Sequence, residues 1–258
     1  MNKNLFARFA PAIQSTDFQN VTDSSTIPPE FLLGKDGTLT SHYIPFDWVN
    51  QEAKVILIGI TPGFTQWINA MREAQYQLRA GASLQDAHIA AKRTGAFSGA
   101  MRPNLVAMLD EIGVHKWLNI ASCASLFDAD AHLVQTTSIL RHPIFVDGAN
   151  YNGTPKMTTT PFLKDQLLTY FGQEATVKDA LLIPLGPKVS EALDWLVQLN
   201  GLNAERILDG LPHPSGANAE RIAYFLGRKD KSALSVKTNA AQLDASRQAL
   251  LLKMKKLT

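Results

Sequence analysis

Three short stretches of the chain are apolar enough to be hidden on both sides: KVILIGI (54–60), KWLNIASC (116–123) and DALLIPLG (179–186). ERILDG (205–210) is a weaker fourth. Such runs read as strands covered on both faces, the pattern of a parallel sheet, not the in–out alternation of a solvent-facing one. Helical patterns lie between them, at 67–92, 103–112, 161–171 and 187–199. Strands alternating with helices define an α/β fold with a mainly parallel sheet. Ligands of open parallel sheets bind beyond the carboxyl ends of the strands. Here those ends run into TPGF, SCASLF, LGPK and LPHPSG, all polar or rich in glycine and proline. The expectation is one crevice, with His213 and the Thr61-Pro62-Gly63 turn facing each other across it.

The 258 residues suffice for one large domain or two small ones. A chain of this length buries about three quarters of its unfolded surface and needs no cross-links. Cys123 is the only cysteine, which excludes an internal disulfide and a four-cysteine cluster. The six histidines (42, 88, 115, 132, 142 and 213) lack zinc-site spacing, so neither a metal nor a cofactor is expected. The longest apolar run, VILIGI, is far short of a membrane span. The first residues, MNKNLFARFAPAIQ, lack the apolar core and cleavage site of a secretory signal, so a cytoplasmic setting is expected.

Residues 1–50 carry turn signals without clear periodicity and read as an irregular N-terminal arm. Residues 51–227 form the central α/β domain in this reading, and 228–258 a basic tail or helix packed on it. Residues 227–258 carry eight basic and two acidic side chains, against 17 and 21 in the remainder. A positive tail on a mildly acidic body suits an anionic partner such as DNA. Its lysines equally suit the C-terminal end of a helix dipole.

The chemistry concentrates in LPHPSGANAERI (211–222). Two prolines fix the backbone around His213, and Ser215 is placed to cap a helix over Ala217–Leu226 that stops at Gly227. A rigid imidazole at a helix start is suited to meet developing negative charge.

This stretch and five others resemble the uracil-DNA glycosylase superfamily in order and spacing, over roughly residues 54–226. GITPG (59–63) is similar to the family's Gly-x-x-Pro-Gly turn, and TGAFSGAM (94–101) to the loop carrying a base-stacking phenylalanine. LNIASC (118–123) is similar to the strand whose asparagine reads the base edge. TTPFLKDQL and LLIPLGPKVSEAL resemble the later helix and strand, and HPSGANAER the His-Pro-Ser motif. The resemblance implies a three-layer α/β/α sandwich around a four-stranded, mainly parallel sheet. It implies a monomeric, monofunctional glycosylase that flips a base from DNA and hydrolyses its N-glycosidic bond. His213 would stabilise the departing base and Thr61 would stand at the water-holding position. Ile60, Gly63, Phe64, Phe97 and Asn119 would surround the base, while Ser215, Gly216, Asn218, Arg221 and Lys188 would contact the DNA backbone.

Each assignment has a plainer alternative. Phe97 could be a core aromatic, Asn119 a satisfied polar group at a strand end, and Arg221 a cover for its helix. Two departures from the family bear on substrate. Thr61 stands where a carboxylate or asparagine would hold water, and a hydroxyl is a poor general base. Gly63 stands where uracil-specific members place a tyrosine against pyrimidine C5. Its small size leaves room for a C5 substituent, as in hydroxymethylated or glucosylated cytosine of phage DNA. The alternatives are a uracil-repair glycosylase and a non-catalytic sensor of modified bases.

Overall fold

The computed structural model describes residues 5–95, 101–171, 179–200 and 202–257. They divide into two compact units. The first gathers residues 5–49, 60–95 and 137–171, and the second gathers 50–59, 101–136, 179–200 and 202–257.

In the first unit, α1 (Leu5–Ser15) precedes a hairpin of β1 (Leu32–Asp36) and β2 (Leu39–His42). Helices α2 (Phe64–Arg79) and α3 (Leu84–Gly95) follow, the single 67–92 pattern being broken at Gly81, whose φ is +83°. Trp67, Ile68, Met71, Ala74 and Leu78 recur at helical spacing on the buried face of α2. Phe6, Phe9, Phe31 and Tyr43 join them in one aromatic core. Gly95 lets the end of α3 approach this core, since a Cβ there would lie 2.7 Å from the Phe46 ring. Residues 5–49 are therefore not an irregular arm: α1 and the segments on either side of the hairpin, with Phe18, Phe31, Tyr43 and Ile44, supply much of this core. Leu5, Phe6, Phe9, Ala10 and Ile13 form the buried face of α1, and Pro11 inside the helix disguises it in the sequence.

The hairpin continues into an antiparallel sheet of order β1-β2-β5-β6, with β5 at Ile144–Val146 and β6 at Ala149–Asn150. Helix α6 (Pro161–Tyr170) completes this unit. No periodic signal marked this sheet, because its strands are only two to five residues long.

The second unit holds β3 (Val55–Gly59) and β7 (Leu181–Pro184), the first and third apolar runs. They pair in parallel from Val55↔Leu181 to Ile58↔Pro184, with every paired residue buried. The third strand of this sheet, β4 (Val134–Ser138), lies on the other side of β3. Helices α4 (Met101–Glu111), α7 (Pro187–Asn200), α8 (Ala219–Phe225) and α9 (Ala240–Leu257) belong to this unit.

The expected four-stranded parallel sheet is thus corrected to three strands, with the fourth run contributing a single parallel bridge, Leu182↔Ile207. KWLNIASC is not a strand. Its first half is α5 (Val114–Leu118), opened by Gly113 at φ +84° and closed by Asn119 at φ +56°. A short apolar run does not declare its period, and Val114, Trp117 and Leu118 satisfy helical spacing equally well. The broad α/β character holds, with parallel pairing at β3 and β7.

Two histidines of the first unit are held neutral. His42 is pushed down to about 4 by burial. His142 is pushed down to about 3, first by burial and then by the Arg141 charge. The Nε2 of His142 has no hydrogen-bond partner among the described residues. The unfolded chain takes up these protons below about pH 6.5, whereas the folded chain refuses them, so stability is complete above that value. It should fall progressively toward about pH 3. Urea midpoints measured from pH 7.5 down to 4 should decline, and a flat series would contradict this assignment.

Candidate functional site

The end of β7 and the His-Pro-Ser loop meet at Gly186. This glycine has a φ of +101°, and a Cβ built on it would lie 3.5 Å from the His213 ring. A side chain there would be strained by the backbone, while its Cβ would meet the ring at ordinary van der Waals distance. The half-buried ring has its Nδ1 accepting the Ser215 amide proton at 3.3 Å. Accepting at Nδ1 places the proton of the neutral ring on Nε2, which makes that nitrogen a donor. Burial lowers the pKa of His213, favouring the neutral form at physiological pH.

Helix α4 adds a second tether: the Asn104 side-chain amide donates to the Pro214 carbonyl at 3.0 Å. Nothing in the sequence singled out Asn104, because a lone polar residue in a helix carries no local signature. The prolines are therefore only part of what fixes the loop.

Ser215 caps no helix with its side chain. Its hydroxyl instead accepts from the Asn218 amide at 3.2 Å, and a single 3₁₀ turn over Gly216–Asn218 leads into α8. Asn218 in turn accepts from Arg221 at 2.7 Å, and Arg221 donates to the Lys237 carbonyl at 3.2 Å. Arg221 is thus tied to the chain ahead of α9. Gly216 is exposed, with nothing within 4 Å of where a Cβ would stand. Exposed Lys188 lies 3.7 Å from Glu191 on the next helical turn.

A cavity of about 560 Å³ adjoins this loop. Pro212, Asn218 and Arg221 line it, and Glu191, Asp194 and Asp209 bring carboxylates to its lining. Four of the eight basic side chains at the C-terminal end are held by the chain itself. Lys229 pairs with Glu220 at 2.8 Å, Lys231 approaches Asp244 at 3.8 Å, and Arg247 binds Glu111. Lys253 donates to the Ala204 and Ile207 carbonyls at 2.7 and 2.8 Å. These contacts fasten α9 to its unit.

Asn119, expected on a strand, is exposed and takes the left-handed conformation that closes α5. Among non-glycine residues asparagine adopts it most readily, so its backbone explains its presence there. Cys123 is buried beside Asp110, and burial pushes its thiol up, leaving it unreactive. Phe97 lies outside the described residues.

Residues 60–63 of the Gly-x-x-Pro-Gly turn belong to the first unit. Ile60 accepts the Leu140 amide proton at 3.0 Å. The Thr61 hydroxyl donates to the His142 carbonyl at 3.0 Å and accepts the Ile144 amide proton at 3.2 Å. Its hydrogen is committed, which leaves one lone pair for a water and no basicity to activate it. Gly63 precedes α2, its amide donating to Gln66 Oε1 at 3.0 Å. Phe64 is half-buried and stacks on Trp67, with ring centroids 6.1 Å apart.

The space expected beside Gly63 is not empty. The Asn150 carboxamide stands there, its Nδ2 3.2 Å from where a glycine-63 Cβ would lie. Its Oδ1 accepts the Phe64 amide proton at 3.0 Å. Asn150 lies 86 residues from Phe64, at the end of a two-residue strand, and no local pattern announces it.

Among the described residues, no cluster of histidine, cysteine or carboxylates could hold a metal ion, and no helix is long and apolar enough to cross a membrane. The chain is 32% identical over 248 residues to the uncharacterized protein YoxB of Bacillus subtilis strain 168, covering 95% of this chain and 96% of that protein. No family model matches the chain, and no solved structure matches it.

The arrangement around His213 makes a direct prediction. Nitrogen-detected NMR at pH 7 should show a neutral His213 ring protonated at Nε2, with a midpoint below 6.5. Replacing Gly186 by alanine should perturb these resonances. A charged ring at pH 7, or a proton on Nδ1, would contradict the geometry.

Proposed function

The chain belongs to the family of Bacillus subtilis YoxB, and we propose that it is a monofunctional DNA glycosylase. It flips a pyrimidine out of DNA and hydrolyses the N-glycosidic bond, leaving an abasic site. One observation carries this reading: an imidazole fixed by its neighbours with Nε2–H as its donor, within a Pro-His-Pro-Ser loop.

Glycosidic cleavage leaves positive charge on the sugar and negative charge on the departing base. A positioned donor stabilises that anion without reorganising, which lowers the barrier. His213 takes this role, and the exposed backbone at Gly216 is open to a DNA phosphate. Phe97 is the aromatic residue proposed to stack on the flipped base. The proposed substrate is a C5-modified cytosine such as the hydroxymethylated or glucosylated base of phage DNA, which would make the protein an antiviral defence enzyme. The reaction needs no cofactor in this scheme.

A second reading is favoured by Thr61. Its hydroxyl is engaged on both sides by backbone groups and cannot deprotonate water. A protein of this kind could bind modified bases without cutting them. In the glycosylase reading, water attacks a sugar already made electrophilic by departure of the base, so leaving-group stabilisation carries the rate.

Labelled DNAs carrying uracil, hypoxanthine, hydroxymethylcytosine or its glucosylated form, followed by alkaline treatment, separate these readings. Cleavage at the modified cytosines, reduced by about 10²–10³-fold in His213→Ala, is the expected result. Cleavage at uracil alone would make it a repair enzyme. Tight binding with no cleavage of any strand would leave the sensor.

A further inference from the structure

The cavity of about 560 Å³ in the second unit takes no part in the proposed reaction, and its volume is that of a small-molecule site. Asp194 lies three and four residues after Glu191 and Ser190, so the three share one face of α7, and that face lines the cavity. Asn239, just ahead of α9, and Gln242, Leu243 and Ser246 within it repeat that spacing. The segment Asp209 to Pro212 adds to the lining. Within it Gly210, at φ +112°, runs so close to α9 that a Cβ there would stand 2.9 Å from the Ser246 Cβ. The walls are fastened from outside. Lys253 holds α9 to the Ala204 and Ile207 carbonyls, and Glu220 accepts from the Ser235 and Thr238 hydroxyls at 2.6 and 2.5 Å.

The lining mixes acceptors with donors. Asp194 and Asp209 are exposed carboxylates, and Asp209 spends one oxygen on the Ser190 hydroxyl. Asn239 spends its oxygen on the Gln242 backbone amide at 3.1 Å, which leaves its Nδ2 hydrogens as donors. Gln242 and Ser246 offer both functions. Three carboxylates face two cations, Arg221 and Lys237. A phosphate would meet the carboxylates, and a polycation would meet Arg221 and Lys237. A hydroxyl group donates to a carboxylate and accepts from an amide through the same oxygen, replacing the waters that otherwise solvate them. Leu211, Pro212 and Leu243 add an apolar surface for the C–H face of a sugar ring. We infer that this cavity binds a hexopyranosyl group, held by Asp194 and Asp209 as acceptors and by Asn239 and Gln242 as donors. The site lies wholly within the second unit and does not depend on the glycosylase reading. A free saccharide and a glucosyl group carried on DNA share this chemistry.

Saturation-transfer NMR on the full-length protein, titrated with the methyl glycosides of glucose, galactose and mannose, reads binding directly. At least one should bind saturably, with its dissociation constant raised roughly tenfold in Asp194→Asn and in Gln242→Glu. Both side chains are exposed, and a carboxylate in the first turn of α9 is favourable, so the fold is retained. Fluorescence titration of two duplexes, identical except for glucose on one hydroxymethylcytosine, identifies the source. A preference for the glucosylated duplex, lost in Asp194→Asn, assigns the cavity to DNA-borne sugar. Equal affinity for the two duplexes, with glycoside binding present, assigns it to a free saccharide. No saturable binding of any glycoside and no preference between the duplexes overturns the inference, as does glycoside binding that neither variant weakens. Binding is read rather than cleavage, so failure of either this inference or the glycosylase reading leaves the other standing.

Discussion

An imidazole offers a directed donor only when its other nitrogen is occupied, and the bond from the Ser215 amide to His213 Nδ1 is the contact on which this account depends. The surrounding structure serves to hold it. The parallel register of β3 and β7 ends at Pro184, and two residues later Gly186 turns under the ring with a backbone conformation that side chains rarely adopt. Asn104 holds the Pro214 carbonyl from α4, and Asn218 holds the Ser215 hydroxyl. Partial burial keeps the ring neutral. Each of these contacts limits rotation of one group, and a rigid donor needs all of them because one hydrogen bond contributes only about 1 kcal/mol net.

Charge is distributed differently from what a positive C-terminal tail implies. Arg247 and Lys253 attach α9 to its own unit, and Lys229 closes on Glu220, whose carboxyl is held far below its ordinary range by Lys229, Ser235 and Thr238. Carboxylates of α7 line the cavity beside the His-Pro-Ser loop. Net charge in a segment therefore says little about a DNA-binding face until its internal pairs are removed. In the proposed enzyme, backbone groups near Gly216 take a larger share of phosphate contact than a strip of lysines would.

The sequence was most legible where a pattern is local. VILIG and LLIP announce buried strands because every residue in them is apolar, and α2, α4, α6 and α7 show their spacing directly. The His-Pro-Ser loop was legible because proline restricts its neighbours whatever the tertiary context. What was hidden depends on distant partners. The Ala149–Asn150 strand exists only through pairing with β5, and the Asn150 amide finds the Phe64 N–H from 86 positions away. KWLNIASC misled because apolar residues at 114, 117 and 118 suit a helix as well as a strand, and only the left-handed residues at 113 and 119 decide between them. Thr61 was visible as an unusual residue, but its bonds to His142 and Ile144 span more than 80 positions.

The central claim is that this chain breaks an N-glycosidic bond, and the mass of the DNA product tests it most directly. A short duplex with one hydroxymethylated cytosine, incubated with the protein and weighed intact, should lose the base and gain a hydroxyl, with the free base recovered in solution. A duplex of unchanged mass, under conditions where the protein is bound to it, would contradict the account.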